Sequence, residues 1–220
     1  MGWFNSPIDP WTHRQDGMLQ QETKNMADDN YRIQELLQRE VYVGTNLVGT
    51  IVGERYHPNE DRVRSMRLQV QPNVAETYMR KPAEHAPLSK ELIHSIQDDG
   101  SVKLSKSMRE LQRRWRNTVR IEEQLYAPDE LLDRAVLDDD GLELGVVIGL
   151  VKVKRTYRGI TVKLRSPVRR RYALGETIDI PVTALARTRA RLDEIVLSRT
   201  YEKLRSLPSY IQINEGVLED

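Results

Sequence analysis

The chain repeats itself, and this limits the folds open to it more than any other feature. Glu35-Leu36-Leu37-Gln38-Arg39-Glu40-Val41 returns 95 residues later as Glu130-Leu131-Leu132-Asp133-Arg134-Ala135-Val136. Leu47 to Gly53 is answered by Glu143 to Gly149, Met66-Arg67-Leu68 by Val162-Lys163-Leu164, Pro87-Leu88 by Pro181-Val182, and Leu104-Ser105-Lys106 by Leu197-Ser198-Arg199. The offset drifts only between about 93 and 96, as small loop insertions and deletions would make it. The 220 residues therefore read as two domains of roughly 80 to 90 residues, each able to hold one small core. The expected division is a flexible tail over 1–30, a first unit over 31–120, a second over 121–210 and a C-terminal tail over 211–220.

Each unit has the pattern of a small β structure. Glu40 to Val43 and Leu47 to Arg55 are apolar and β-branched runs around Gly44-Thr45-Asn46, and the second copy carries the stronger turn Asp140-Gly141 at that place. Gly49 and Gly53, like Gly145 and Gly149, interrupt a strand at a spacing of four and predict bulges or tight bends. Val63 to Val70 and Ile160 to Leu164 alternate with period two as third strands. Proline-bearing loops are expected over 71–86 and 165–174. Closing strands at Ser101 to Ser105 and Glu194 to Ser198 precede amphipathic helices beginning at Met108 and Tyr201. The predicted fold is mainly β, with two tandem closed barrels of five or six strands, each followed by a short helix.

The order Glu-Leu-Leu-x-Arg-x-Val, a Gly or Asp-Gly turn, a Leu-x-x-Gly-x-Ile/Val strand, an Ile-x-Val-x-Leu strand, a Pro-Val element and a closing Ile-Val-Leu-Ser strand resembles the PRC-barrel. That family includes the barrel of the photosynthetic reaction-centre H subunit and of the ribosome-maturation factor RimM. The likeness spans about residues 128 to 208 in the second copy and, more loosely, 33 to 117 in the first. It implies a non-enzymatic, protein-binding adaptor. A tandem of such units is most similar to the archaeal CdpB-like cell-division adaptors, which link SepF and FtsZ machinery. The resemblance thus implies SepF-like protein partners and a homo- or hetero-oligomer.

A search for chemistry gives no competing signal. The histidines His13, His57, His85 and His94 are scattered, without the spacing that sets two metal ligands on one face. Asp98-Asp99 and Asp138-Asp139-Asp140 adjoin Gly100 and Gly141, where turn chemistry explains them. No phosphate loop or nucleophile elbow is present. No enzyme, cofactor or metal is expected. The absence of cysteine excludes thiol chemistry and suits an intracellular or a thermophilic chain equally well. No apolar run approaches the roughly 20 residues of a membrane span, so a soluble cytoplasmic protein is expected.

Two surfaces remain as candidate sites. Trp3, Phe4 and Trp11 stand in a proline-broken N-terminal stretch, and either dock on a partner or membrane surface or fold back over the chain's own apolar surface. Lys163, Arg165, Arg169, Arg170 and Arg171 belong to a run without acidic residues. That run is an anion or RNA patch in one reading and a solvated face in the other. Arg109, Arg113, Arg114, Arg116 and Arg120 form a second basic run. Because 34 basic residues face 33 acidic ones, for a net charge of +1, any contact with nucleic acid must be local. An RNA- or ribosome-associated factor is therefore the alternative to the adaptor.

Overall fold

The computed structural model describes residues 33–56, 63–189 and 193–215. After a 3-10 turn, Ile33–Leu36, the first unit runs β1 (Glu40–Val43), β2 (Asn46–Tyr56), β3 (Val63–Val70), α1 (Pro72–Tyr78), β4 (His85–Leu88), β5 (Ile93–Ile96), β6 (Val102–Leu104) and α2 (Met108–Arg116). A hairpin follows, β7 (Val119–Ile121) and β8 (Gln124–Tyr126). The second unit opens with the 3-10 turn Pro128–Glu130. It continues through β9 (Ala135–Leu137), β10 (Glu143–Val153), β11 (Thr156–Leu164), α3 (Ser166–Tyr172), β12 (Thr177–Pro181), β13 (Leu185–Thr188), β14 (Glu194–Leu197), α4 (Tyr201–Leu204) and α5 (Pro208–Glu215).

The repeat is structural as well as textual. The first sheet has the order β5-β6-β1-β2-β3-β4 with β8-β7 added at one edge, and the second has β13-β14-β9-β10-β11-β12, the same topology. In both, the first strand pairs in parallel with the last, β1 with β6 and β9 with β14. Gln38 and Asp133 both take left-handed backbone, at φ 64 and 61. Their amides donate to the carbonyls of Ile51 and Val147 at 2.7 and 2.9 Å. The carbonyls of Val48 and Leu144, each the extra residue of a bulge, both accept at 2.9 Å from the residue preceding a helix, Gln71 or Arg165.

The structure corrects several expectations. The chain is mainly β in two sheets, but neither ladder closes into a ring: β5 and β7 bound the first sheet, β12 and β13 the second. The loops expected over 71–86 and 165–174 contain α1 and α3, each with proline in its first turn, where the missing N–H is not needed. Register shifts at Ile51/Gly53 and Val147/Gly149 place bulges beside Gly53 and Gly149. The close backbone approach lies four residues earlier, where a Cβ on Gly49 or Gly145 would collide with the carbonyl oxygen of Gln69 or Lys163. Helix α5 runs through residues 211–215 of the expected tail.

Two cores result. Val41, Ile51, Met66, Leu68, Leu88 and Trp115 center the first, and Leu131, Val147, Ile160, Ile180, Leu197 and Tyr201 the second. The hairpin between them is shared: Leu125 packs in the first core, whereas Val119, Ile121 and Tyr126 pack in the second. Helix α2 is anchored by Leu111 and Trp115 and started by a reciprocal cap, in which Glu110 N donates to Ser107 Oγ (3.4 Å) and Ser107 N to Glu110 Oε2 (3.1 Å).

Candidate interaction site

The end of β2 and the start of the second unit meet in a buried polar network. Arg55, Ser65, Glu130 and Arg134 are the buried polar side chains here, none more than 4% exposed. Arg55 Nη1 donates to Glu130 Oε2 at 3.0 Å and to the Leu125 carbonyl at 2.9 Å. Ser65 Oγ donates to Glu130 Oε1 and the Ala127 amide to Oε2 at 2.7 Å. Arg134 returns across the junction, Nε to the Glu130 carbonyl (2.7 Å) and Nη2 to the Tyr56 carbonyl (2.8 Å). The Arg55 guanidinium lies 4.5 Å over the Tyr126 ring, and burial pushes the Tyr126 phenol above its ordinary pKa. The phenol is 2.6 Å from Thr188 Oγ1 of β13. A buried ion pair fixes geometry more surely than it adds stability, and here it fixes one unit on the other.

The basic stretch does not form a free patch. Lys163 pairs with Glu176 at 3.2 Å, Arg165 with Glu143, and Arg171 with Glu202 at 3.2 Å. Arg169 is half-buried in α3 and Arg170 is exposed. The carboxylates come from β10, the loop before β12, and α4, so the linear sequence does not show them. Trp3, Phe4 and Trp11 lie outside the described residues.

A different surface emerges instead. Three large apolar side chains are exposed among the described residues: Val146 (36%) and Ile148 (49%) on the outer side of β10, and Ile211. Val146 is flanked in register by Ala135 on β9 and Lys163 on β11. The corresponding residues of the first unit are Thr50 and Val52, of which the first is polar. The apolar pair therefore belongs to the second sheet alone. Sequence reading missed it because strict alternation assigns β10 an inward set without saying which outward residues stay uncovered. Among the described residues, no group of three or more His, Asp or Glu side chains is placed to hold a metal ion, and no helix is long and apolar enough to cross a membrane. No family profile and no curated protein matches the chain.

Proposed function

We propose that the chain is a non-enzymatic adaptor built from two PRC-like β units, which holds partner proteins in a fixed relative placement. The observation that carries this reading is the apolar pair Val146 and Ile148, standing uncovered on a sheet that the buried junction fixes against its neighbour. Completing the burial of both side chains against a partner is worth on the order of 2 kcal/mol, which suits an anchor inside a larger interface. The PRC resemblance supplies the partner class: division proteins of the SepF-like type in an archaeal cytoplasm, with the aromatic Trp3, Phe4 and Trp11 segment as a second contact and homo- or hetero-oligomers as the assembled form.

The test is recovery of a purified SepF-like protein by the wild-type chain, by Val146→Asp/Ile148→Asp, and by a chain lacking residues 1–28. The reading expects the double change to reduce recovery at least tenfold with the circular dichroism spectrum unchanged, and the truncation to weaken recovery further. Equal recovery by all three chains overturns it.

A further inference from the structure

Helix α2 carries Arg109, Arg113 and Arg116 at spacings of four and three, on the side opposite Leu111 and Trp115, which the core buries. With Arg114 they are all exposed, and none forms an ion pair with a described carboxylate. The one carboxylate on the helix, Glu110, is held below its usual range chiefly by the Ser107 amide of the cap. It lies 4.0 Å from Lys106 and also feels Arg113.

Helix stability does not account for this stripe. Cations in the last turn are favoured by the helix dipole, which explains Arg113, Arg114 and Arg116, but Arg109 sits in the first turn, where the dipole disfavours a cation. Like charges one turn apart also repel. The surface continues onto the second unit, because Lys152 of the β10–β11 hairpin donates to Asn117 Oδ1 at the end of α2 (3.0 Å). The tip of that hairpin adds exposed Arg155 and has no acidic residue.

We propose that α2 and the β10–β11 tip form a binding surface for the phosphate backbone of a nucleic-acid strand. The surface calls for phosphate because the guanidinium groups of Arg109, Arg113, Arg114 and Arg116 face a single carboxylate on the helix, Glu110, which is tied to the Ser107 cap. The outward face of α2 presents Arg109, Gln112, Arg113 and Arg116 and no apolar side chain, whereas a protein interface needs an apolar or aromatic anchor. A helix lying on lipid needs an apolar face to insert, and the apolar face of α2 is already in the core. Guanidinium groups one turn apart bind phosphates without reading bases. Binding is therefore independent of sequence and steep in salt. It is separate from the adaptor surface on β10 and does not depend on that reading.

The experiment is fluorescence anisotropy of the full chain with a labelled single-stranded oligoribonucleotide of mixed sequence, titrated at several salt concentrations. Four phosphate contacts give a slope of log K against log salt of about −3, and Arg109→Ala/Arg113→Ala/Arg116→Ala lowers its magnitude by about 2. The triple lysine variant retains the slope. Should the alanine triple fail to fold, Arg109→Ala alone, which relieves a first-turn cation, is read for a loss of about 0.7. Absence of wild-type binding at low salt, a slope that the alanine changes leave alone, or binding to anionic vesicles or an acidic peptide in place of the oligonucleotide overturns the proposal.

Discussion

Replacing Glu130 by leucine tests whether the two units are held by the buried network. Arg55, 2% exposed, would keep its bond to the Leu125 carbonyl and its place over Tyr126, but would lose its counter-ion at 3.0 Å. Its Nη2 already has no partner. Ser65 Oγ and the Ala127 amide would each lose an acceptor. Removing one member of a buried ion pair costs about 3 to 5 kcal/mol, mostly as the penalty of the uncompensated charge. For a protein of this size that lowers the melting temperature by about 6 to 20 °C. Arg55→Met with Glu130→Leu removes both charges and should lie closer to wild type than either single change, as hydrophobic replacement of a buried pair does elsewhere. Urea unfolding of the four chains measures the cycle. A loss below about 1 kcal/mol for Glu130→Leu alone, or a double variant as unstable as the sum of the singles, refutes the argument that the pair is desolvated and coupled.

Gly145→Ala should destabilise by about 1 to 3 kcal/mol, because its Cβ meets the Lys163 carbonyl. Gly149→Ala should be neutral within about 0.5 kcal/mol, since its nearest contact is Thr161 Cβ at 3.6 Å; thermal melting distinguishes them. Burial, then Arg67, hold the His85 imidazole below its ordinary pKa. The unfolded chain therefore binds the proton first as pH falls below about 6.5, and stability present above that value is lost on the acid side. His85→Gln should flatten this part of the stability curve, and an unchanged acid slope would contradict the assignment. Arg169→Ala/Arg170→Ala/Arg171→Ala should leave recovery of a protein partner nearly intact, because Arg171 is an exposed ion-paired residue of small energetic weight; a pulldown with the purified partner reads this.

How far the fold was legible follows from the kind of signal each part carries. The tandem plan could be read because it rests on motifs of six or seven residues. Detailed alignment of the third strands could not: cross-strand pairing of Gly49 with Val70 and of Gly145 with Leu164 makes Met66–Leu68 the counterpart of Ile160–Val162. The textual match to Val162–Leu164 is two residues off, and a slip of two keeps every side chain on the same face, so periodicity is blind to it. The β7–β8 hairpin carries no hairpin signal, because its turn, Glu122-Glu123, has no Gly or Asn. Glu122 takes φ 51, a conformation for which its residue type gives no warning. The junction was invisible for another reason: Glu130 and Arg134 stand in the repeated motif, but their partners Arg55, Ser65 and Tyr56 lie in the other unit. The basic run was legible as charge, but not the carboxylates that neutralise much of it.

The two units also show how one surface has been put to two uses. Arg55 faces Ser65 across β2 and β3, and Val151 faces Gly159 across β10 and β11, so these pairs occupy equivalent places. In the first unit that place receives Glu130, and the adjoining edge of β4 pairs with β8. In the second, Ile213 of α5 sits against Gly159 so closely that a Cβ there would collide with it. The edge of β12 is held by Asn214, whose Oδ1 accepts from the Asp179 amide (2.9 Å) and whose Nδ2 donates to its carbonyl (2.8 Å). One side-chain amide thus supplies the donor and acceptor that a neighbouring strand would, and blunts an edge otherwise open to pairing with another chain. With Val151 in place of Arg55 there is no cation to receive a carboxylate, and with Gly159 in place of Ser65 there is room for Ile213. The surface by which the first unit accepts its neighbour has become, in the second, the seat of its own helix.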